Sequence, residues 1–114
     1  MAHDPLFSTR ADDPRFHPLL VAYRASLEGA RETFVHALEG GQHDSVERQA
    51  HDLKGSGSSY GYPSLTEAAR QLELAASQPQ AREDLHENLQ NTITVLDRIL
   101  SGLASLAGPP PDSA

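Results

Sequence analysis

From Phe16 to Leu38 the apolar residues Phe16, Leu19, Leu20, Tyr23, Leu27, Ala30, Phe34, Ala37 and Leu38 recur mainly three or four residues apart. That period draws one apolar stripe along a helix and is foreign to a half-buried strand, whose period is two. A striped helix must cover its stripe, so this segment commits the chain to helix-on-helix packing. The spacing predicts a helix over 17–39, with Pro18 in its first turn and Gly40-Gly41 as its stop.

Three further stretches repeat the pattern. Asp44 can cap a second helix, and Glu47 three residues on completes a capping box. This helix runs to about Ser59 or Tyr60, with Val46, Ala50, Leu53, Gly57 and Tyr60 on one seam. Gly61, Tyr62 and Pro63 punctuate, and Ser64 with Glu67 gives a second box. The third helix carries Leu65, Ala68, Ala69, Leu72, Ala75 and Ala76, and its alanines let a neighbour approach closely. Ser77, Gln78 and Pro79 end it. A fourth helix starts near Gln80 with the stripe Leu85, Leu89, Ile93, Leu96, Ile99, Leu100, Leu103 and Leu106. The expected fold is all-α, an up-down-up-down antiparallel four-helix bundle over 14–107. An irregular arm (1–13) precedes it, and a Pro-rich tail (108–114) that reads as disordered follows.

Composition narrows the function. A formal net charge of −7 argues against nucleic acid, which needs a basic footprint. The absence of cysteine excludes disulfides, thiolate metal sites and a cysteine nucleophile. No apolar run approaches the ~18 residues of a membrane span, and Met1 to Arg10 lacks the build of a signal peptide. A cytoplasmic protein is expected. With no spare apolar stripe in view, so is a monomer.

The second helix has another face. Arg48, His51, Lys54, Gly55 and Ser58 lie three or four residues apart, so they are neighbours. Helical side chains lean toward the N-terminus, so a side chain at position 55 would shadow the ring of His51. Glycine there leaves the imidazole uncovered, and Lys54 can bring its ammonium alongside. A mid-helix glycine costs about 1 kcal/mol against alanine, so a packing or functional reason is expected for it. A bare histidine, a cation beside it and a gap above it suit an anion attached to the ring.

If helices two and three fold back about Tyr62, residues equidistant from it lie level. Position 73, a glutamate, then lies level with His51. Glu73 can accept a hydrogen bond from one ring nitrogen and leave the other basic and outward-facing. The same count puts Arg70 level with Lys54, giving a local basic patch of Arg48, Lys54 and Arg70 on an acidic protein.

The run Ala50-His51-Asp52-Leu53-Lys54-Gly55-Ser56 resembles the signature of histidine phosphotransfer (HPt) domains, the four-helix phosphocarriers of multistep phosphorelays. Gly61, ten residues after the histidine, and Leu72-Glu73 match as well. Ser59-Tyr60-Gly61-Tyr62 is similar to a run in the phosphotransfer domain of chemotaxis histidine kinases. The resemblance implies that His51 is phosphorylated, with Nε2 as nucleophile. It makes Lys54 the basic residue that neutralises phosphate, Gly55 the small residue that admits a partner, and Glu73 the partner of the imidazole. Ser58, Arg48 and Arg70 fall in the expected phosphate environment. The implied partners are response-regulator receiver domains and hybrid sensor histidine kinases. No cofactor is expected on this chain, since magnesium belongs to the receiver. No ATP-binding kinase domain is seen, so the chain reads as a carrier and not as an enzyme. One departure stands out. Gly57 replaces a common serine or alanine, which is expected to loosen the helix.

Two other classes compete. A helical module could bind or sequester a receiver without phosphotransfer, but the intact His51, Lys54 and Gly55 weigh against it. A metal-binding bundle could use His43, Glu47 and His51, four residues apart, yet a single Glu-x-x-His pair, Glu83 and His86, stands on another helix, short of the two that a di-metal bundle needs.

Overall fold

Pro18 stands in the first turn of the first helix, where no intrahelical amide bond is lost. A computed structural model describes residues 4–40, 43–78 and 82–107. It contains α1 (His17–Leu38), α2 (Val46–Ser59), α3 (Pro63–Ala76) and α4 (Arg82–Ala107), with no strand among the described residues. The expected four-helix bundle is the observed one. The anticipated start of the fourth helix near Gln80 and the tail at 108–114 lie outside the described residues.

Each helix buries a seam with spacings of three and four. On α1 it is Leu20, Tyr23, Leu27, Ala30, Phe34 and Ala37; on α2, Val46, Ala50, Leu53 and Gly57. On α3 it is Leu65, Ala68, Ala69, Leu72 and Ala75, and on α4, Leu89, Thr92, Leu96, Ile99 and Leu103. Leu19, expected on the stripe, is instead 49% exposed, because it stands about 100° around the helix from buried Leu20. Thr92 is a core residue that hydropathy overlooks. Its hydroxyl donates to Asn88 O at 2.8 Å, so burying it leaves no unpaired polar group.

The two expected capping boxes do not form. Helix α2 starts at Val46, with Ser45 as N-cap in a helical backbone conformation (φ −88°, ψ −11°) and no side-chain cap. A capping side chain needs the extended backbone that directs its oxygen at the first amides. Here residues 43–45 already turn, with Val46 N donating to His43 O at 3.1 Å. Helix α3 starts one residue before Ser64, at Pro63, with Tyr62 as N-cap, and Glu67 pairs with Arg70 instead.

Helix α3 packs against both α2 and α4, and α1 packs on α4, where Arg31 donates to Asp97. The closest approach is between α2 and α3. A Cβ on Gly57 would stand 2.7 Å from Thr66 Oγ1 and 3.1 Å from Thr66 N. Gly57 therefore lets α3 approach α2 closely. Backbone contact between α1 and α2 is sparse. Aromatic rings bridge them: Tyr23 stacks on Tyr60 with centroids 3.9 Å apart, and the Tyr23 and Ser56 hydroxyls hydrogen-bond.

The α2–α3 turn rests on Gly61, whose φ of +81° is the left-handed region open to glycine. Tyr62 N donates to Gly57 O at 2.8 Å and Gly61 N to Ser58 O at 3.2 Å, the paired bonds of a Schellman motif. The arm is irregular, as expected, but it is tied down. Leu6 N donates to Arg98 O, Thr9 N to Gly61 O, and Ser8 Oγ to Tyr60 O. The arm crosses α4 at Gly102 and the turn at Gly61, two places where a Cβ would collide with it.

The expectation of a monomer rested on the family resemblance and on a lack of spare apolar surface; four large apolar side chains are partly open to solvent. Phe7, Leu19, Val21 and Leu74 are each about half exposed. No described helix is long and apolar enough to cross a membrane.

Candidate functional site

Helix α2 presents His51 outside its buried seam, and the side chain is 65% exposed. The level-pair count holds. Across the α2–α3 interface His51 Nδ1 lies 2.8 Å from Glu73 Oε2. The other carboxylate oxygen, Oε1, accepts from Lys54 Nζ at 2.7 Å. An ionised carboxylate only accepts, so Nδ1 carries the proton and the neutral ring keeps its lone pair on Nε2. Nε2 makes no hydrogen bond among the described residues.

Two hydrogen-bond donors on one carboxylate set its electrostatics. The Lys54 ammonium first, and the His51 ring second, hold the Glu73 carboxyl below the usual glutamate range. Lys54, expected beside the ring, shares the Glu73 carboxylate with it, so one carboxylate gathers both. Gly55 is exposed, and a Cβ added there would meet nothing within 4 Å. The gap anticipated over the site is therefore open.

The outer residues are placed differently from expectation. Arg70 is turned along its own helix, with Nη2 2.7 Å and Nε 3.0 Å from the Glu67 carboxylate. A carboxylate one turn away on the same helix is simply nearer than anything across the interface. Lys54 is thus bound to Glu73 and Arg70 to Glu67, so two members of the expected basic patch of Arg48, Lys54 and Arg70 are already paired with carboxylates. Arg48 is exposed one turn before His51 and makes no ion pair among the described residues. Ser58 lies two turns beyond His51, and its hydroxyl contacts Thr66 Oγ1 at 3.1 Å.

The His43, Glu47 and His51 side chains do not converge. The His43 ring lies on Ala37 O at 3.0 Å, and the described residues hold no group of three or more acidic or histidine side chains placed for a metal.

Tyr60 and Tyr62 take the packing role that their place at the turn implied. Burial pushes the Tyr62 hydroxyl up to about 12, with Tyr23 adding to the effect, so it stays neutral in the core.

Residues 18–105 match the family model described as Hpt domain. The chain belongs to the Hpt domain family. Hpt domains serve phosphotransfer in phosphorelays as phosphocarriers, and they meet receiver and kinase domains there. No curated protein and no solved structure matches the chain. The match covers α2 and α3 and nearly all of α1 and α4, so His51 and Glu73 both fall inside the Hpt domain.

Sequence reasoning missed Thr66. Its oxygen stands in the space Gly57 leaves, and its hydroxyl reaches Lys54 O at 3.3 Å. The signal was available, since Thr66 and Ser58 are equidistant from Tyr62, as Glu73 and His51 are.

Proposed function

We propose that this Hpt domain shuttles a phosphoryl group between receiver aspartates by way of His51. The observation that carries the reading is the His51–Glu73 pair. The carboxylate fixes Nδ1 as the donor, which leaves Nε2 as the nucleophile on an exposed ring beside an open glycine.

A receiver bearing an aspartyl-phosphate docks over α2 and α3. The Nε2 lone pair of His51 attacks phosphorus in line. The N–P bond forms as the P–O bond to aspartate breaks, and the aspartate leaves as carboxylate. The transition state is loose, so positioning and charge carry the catalysis. Lys54 offsets charge on the equatorial oxygens. The ring becomes positive, and Glu73 stabilises it through the Nδ1 proton. Gly55 admits the partner. Any magnesium ion belongs to the receiver, and hybrid sensor kinases are the upstream donors. The reverse reaction loads a second receiver.

The test is incubation with a phosphorylated receiver, followed by a second, unphosphorylated one. The account expects acid-labile, alkali-stable label on this chain and then on the second receiver. A chain that takes no label from any receiver of the same organism contradicts it.

A further inference from the structure

The His51–Glu73 bond exists only in one register of α3 against α2. Sliding α3 by one residue moves Glu73 by about 1.5 Å along the axis and turns it by about 100°. Either displacement breaks its bonds to both His51 and Lys54. Hydrophobic seams alone hold that register loosely, because alanines at positions 68, 69 and 75 offer little relief to interlock.

One heptad from the site, the interface is gripped differently. Gly57 opens a notch in α2, and Thr66 of α3 packs into it, with Oγ1 2.7 Å from the place a Cβ would take. The single hydroxyl proton of Thr66 goes to Lys54 O at 3.3 Å. Ser58 Oγ, 3.1 Å away, is then the donor to Thr66 Oγ1. Helix α3 thus holds Lys54 at both ends, the carbonyl through Thr66 and the ammonium through Glu73.

We infer that Thr66, seated in the Gly57 notch, is the positioning residue that sets the α2–α3 register and so holds Glu73 on His51 Nδ1. Its consequence for rate rests on His51 being the phosphoryl acceptor; its consequence for the ring does not.

The experiment measures the imidazole tautomer of His51 by 15N NMR in the neutral ring, alongside the rate of phosphoryl uptake from a phosphorylated receiver. The variants are Thr66→Val, which keeps the shape and removes the hydroxyl, Thr66→Ser, which restores it, and Gly57→Ala, which fills the notch. The wild type and Thr66→Ser are expected to show the Nδ1–H tautomer. Thr66→Val and Gly57→Ala are expected to shift toward Nε2–H and to take up phosphate about fivefold more slowly, the worth of one hydrogen bond. If Gly57→Ala does not fold, the Thr66→Val and Thr66→Ser pair decides. A folded Thr66→Val protein that keeps the wild-type tautomer overturns the inference. A tautomer shift in a protein that never takes up phosphate upholds Thr66 as the register pin and refutes the phosphocarrier reading instead.

Discussion

Glu73 Oε2 and His51 Nδ1 meet at 2.8 Å although 22 residues separate them in sequence. The bond depends on a turn built at Gly61 and a close helix pair, so the chemistry of α2 is set partly by α3. Replacing Glu73 therefore tests more than one side chain. Glu73→Ala is expected to slow phosphoryl uptake by about fivefold without abolishing it, since Nε2 remains exposed. Glu73→Gln keeps an oxygen for Nδ1 and is expected to lose less. Single-turnover uptake rates check both, and a Glu73→Ala rate equal to wild type would make Glu73 a bystander.

The same carboxylate makes a pH prediction. Its folded pKa is lowered, first by Lys54 and then by His51. A lowered carboxylate pKa stabilises the fold fully above the unfolded value, about 4.3 for glutamate. That contribution is lost as pH falls through the folded value. The melting-temperature gap between wild type and Glu73→Ala should thus shrink on acidification below about pH 4. A gap that persists undiminished at lower pH would mean Glu73 is not the ionised acceptor of this pair.

Gly55 separates stability from function. It is a mid-helix glycine with open space around it, so Gly55→Ala should stabilise the bundle by about 0.5–1 kcal/mol. If the gap serves docking, a large residue there, Gly55→Leu, should slow uptake while the fold persists. Urea titration reads the first effect and receiver-dependent labelling the second. A Gly55→Leu protein as active as wild type would reduce the gap to an accident of sequence.

The arm and the turn should fail together. Gly61→Ala meets both a φ of +81° and the Ser8 and Thr9 side chains, and should cost about 1–3 kcal/mol in urea titration. Removing residues 1–9 should also lower stability, by undoing the bonds from Leu6, Ser8 and Thr9. In the shortened chain the steric share of the Gly61→Ala cost disappears, so that cost should fall. Equal costs in both backgrounds would show that the arm does not bear on Gly61.

Periodicity made the four helices legible, and one count from Tyr62 made His51–Glu73 legible, because in antiparallel neighbours joined by a short turn the residues equidistant from the turn fall level. The helix starts were less legible. Asp44 and Ser64 have the right residue types for caps, but capping depends on local backbone angles that a turn at 43–45 and Pro63 decide. Charge placement was the least legible. Arg70 sits level with Lys54 by count, yet Glu67 one turn away captures it, a competition between near neighbours that spacing alone does not rank. Thr92 and Thr66 were passed over because a hydroxyl reads as surface until its acceptor, Asn88 O or Lys54 O, is seen.

The most direct measurement is the position of the phosphoryl group on the ring. The wild-type protein is loaded from a phosphorylated receiver and examined by 31P and 15N NMR, with His51→Gln as control. The account predicts a phosphoramidate at Nε2 of His51 and none on a folded His51→Gln protein. Phosphate at Nδ1, or label that survives in His51→Gln, would contradict it.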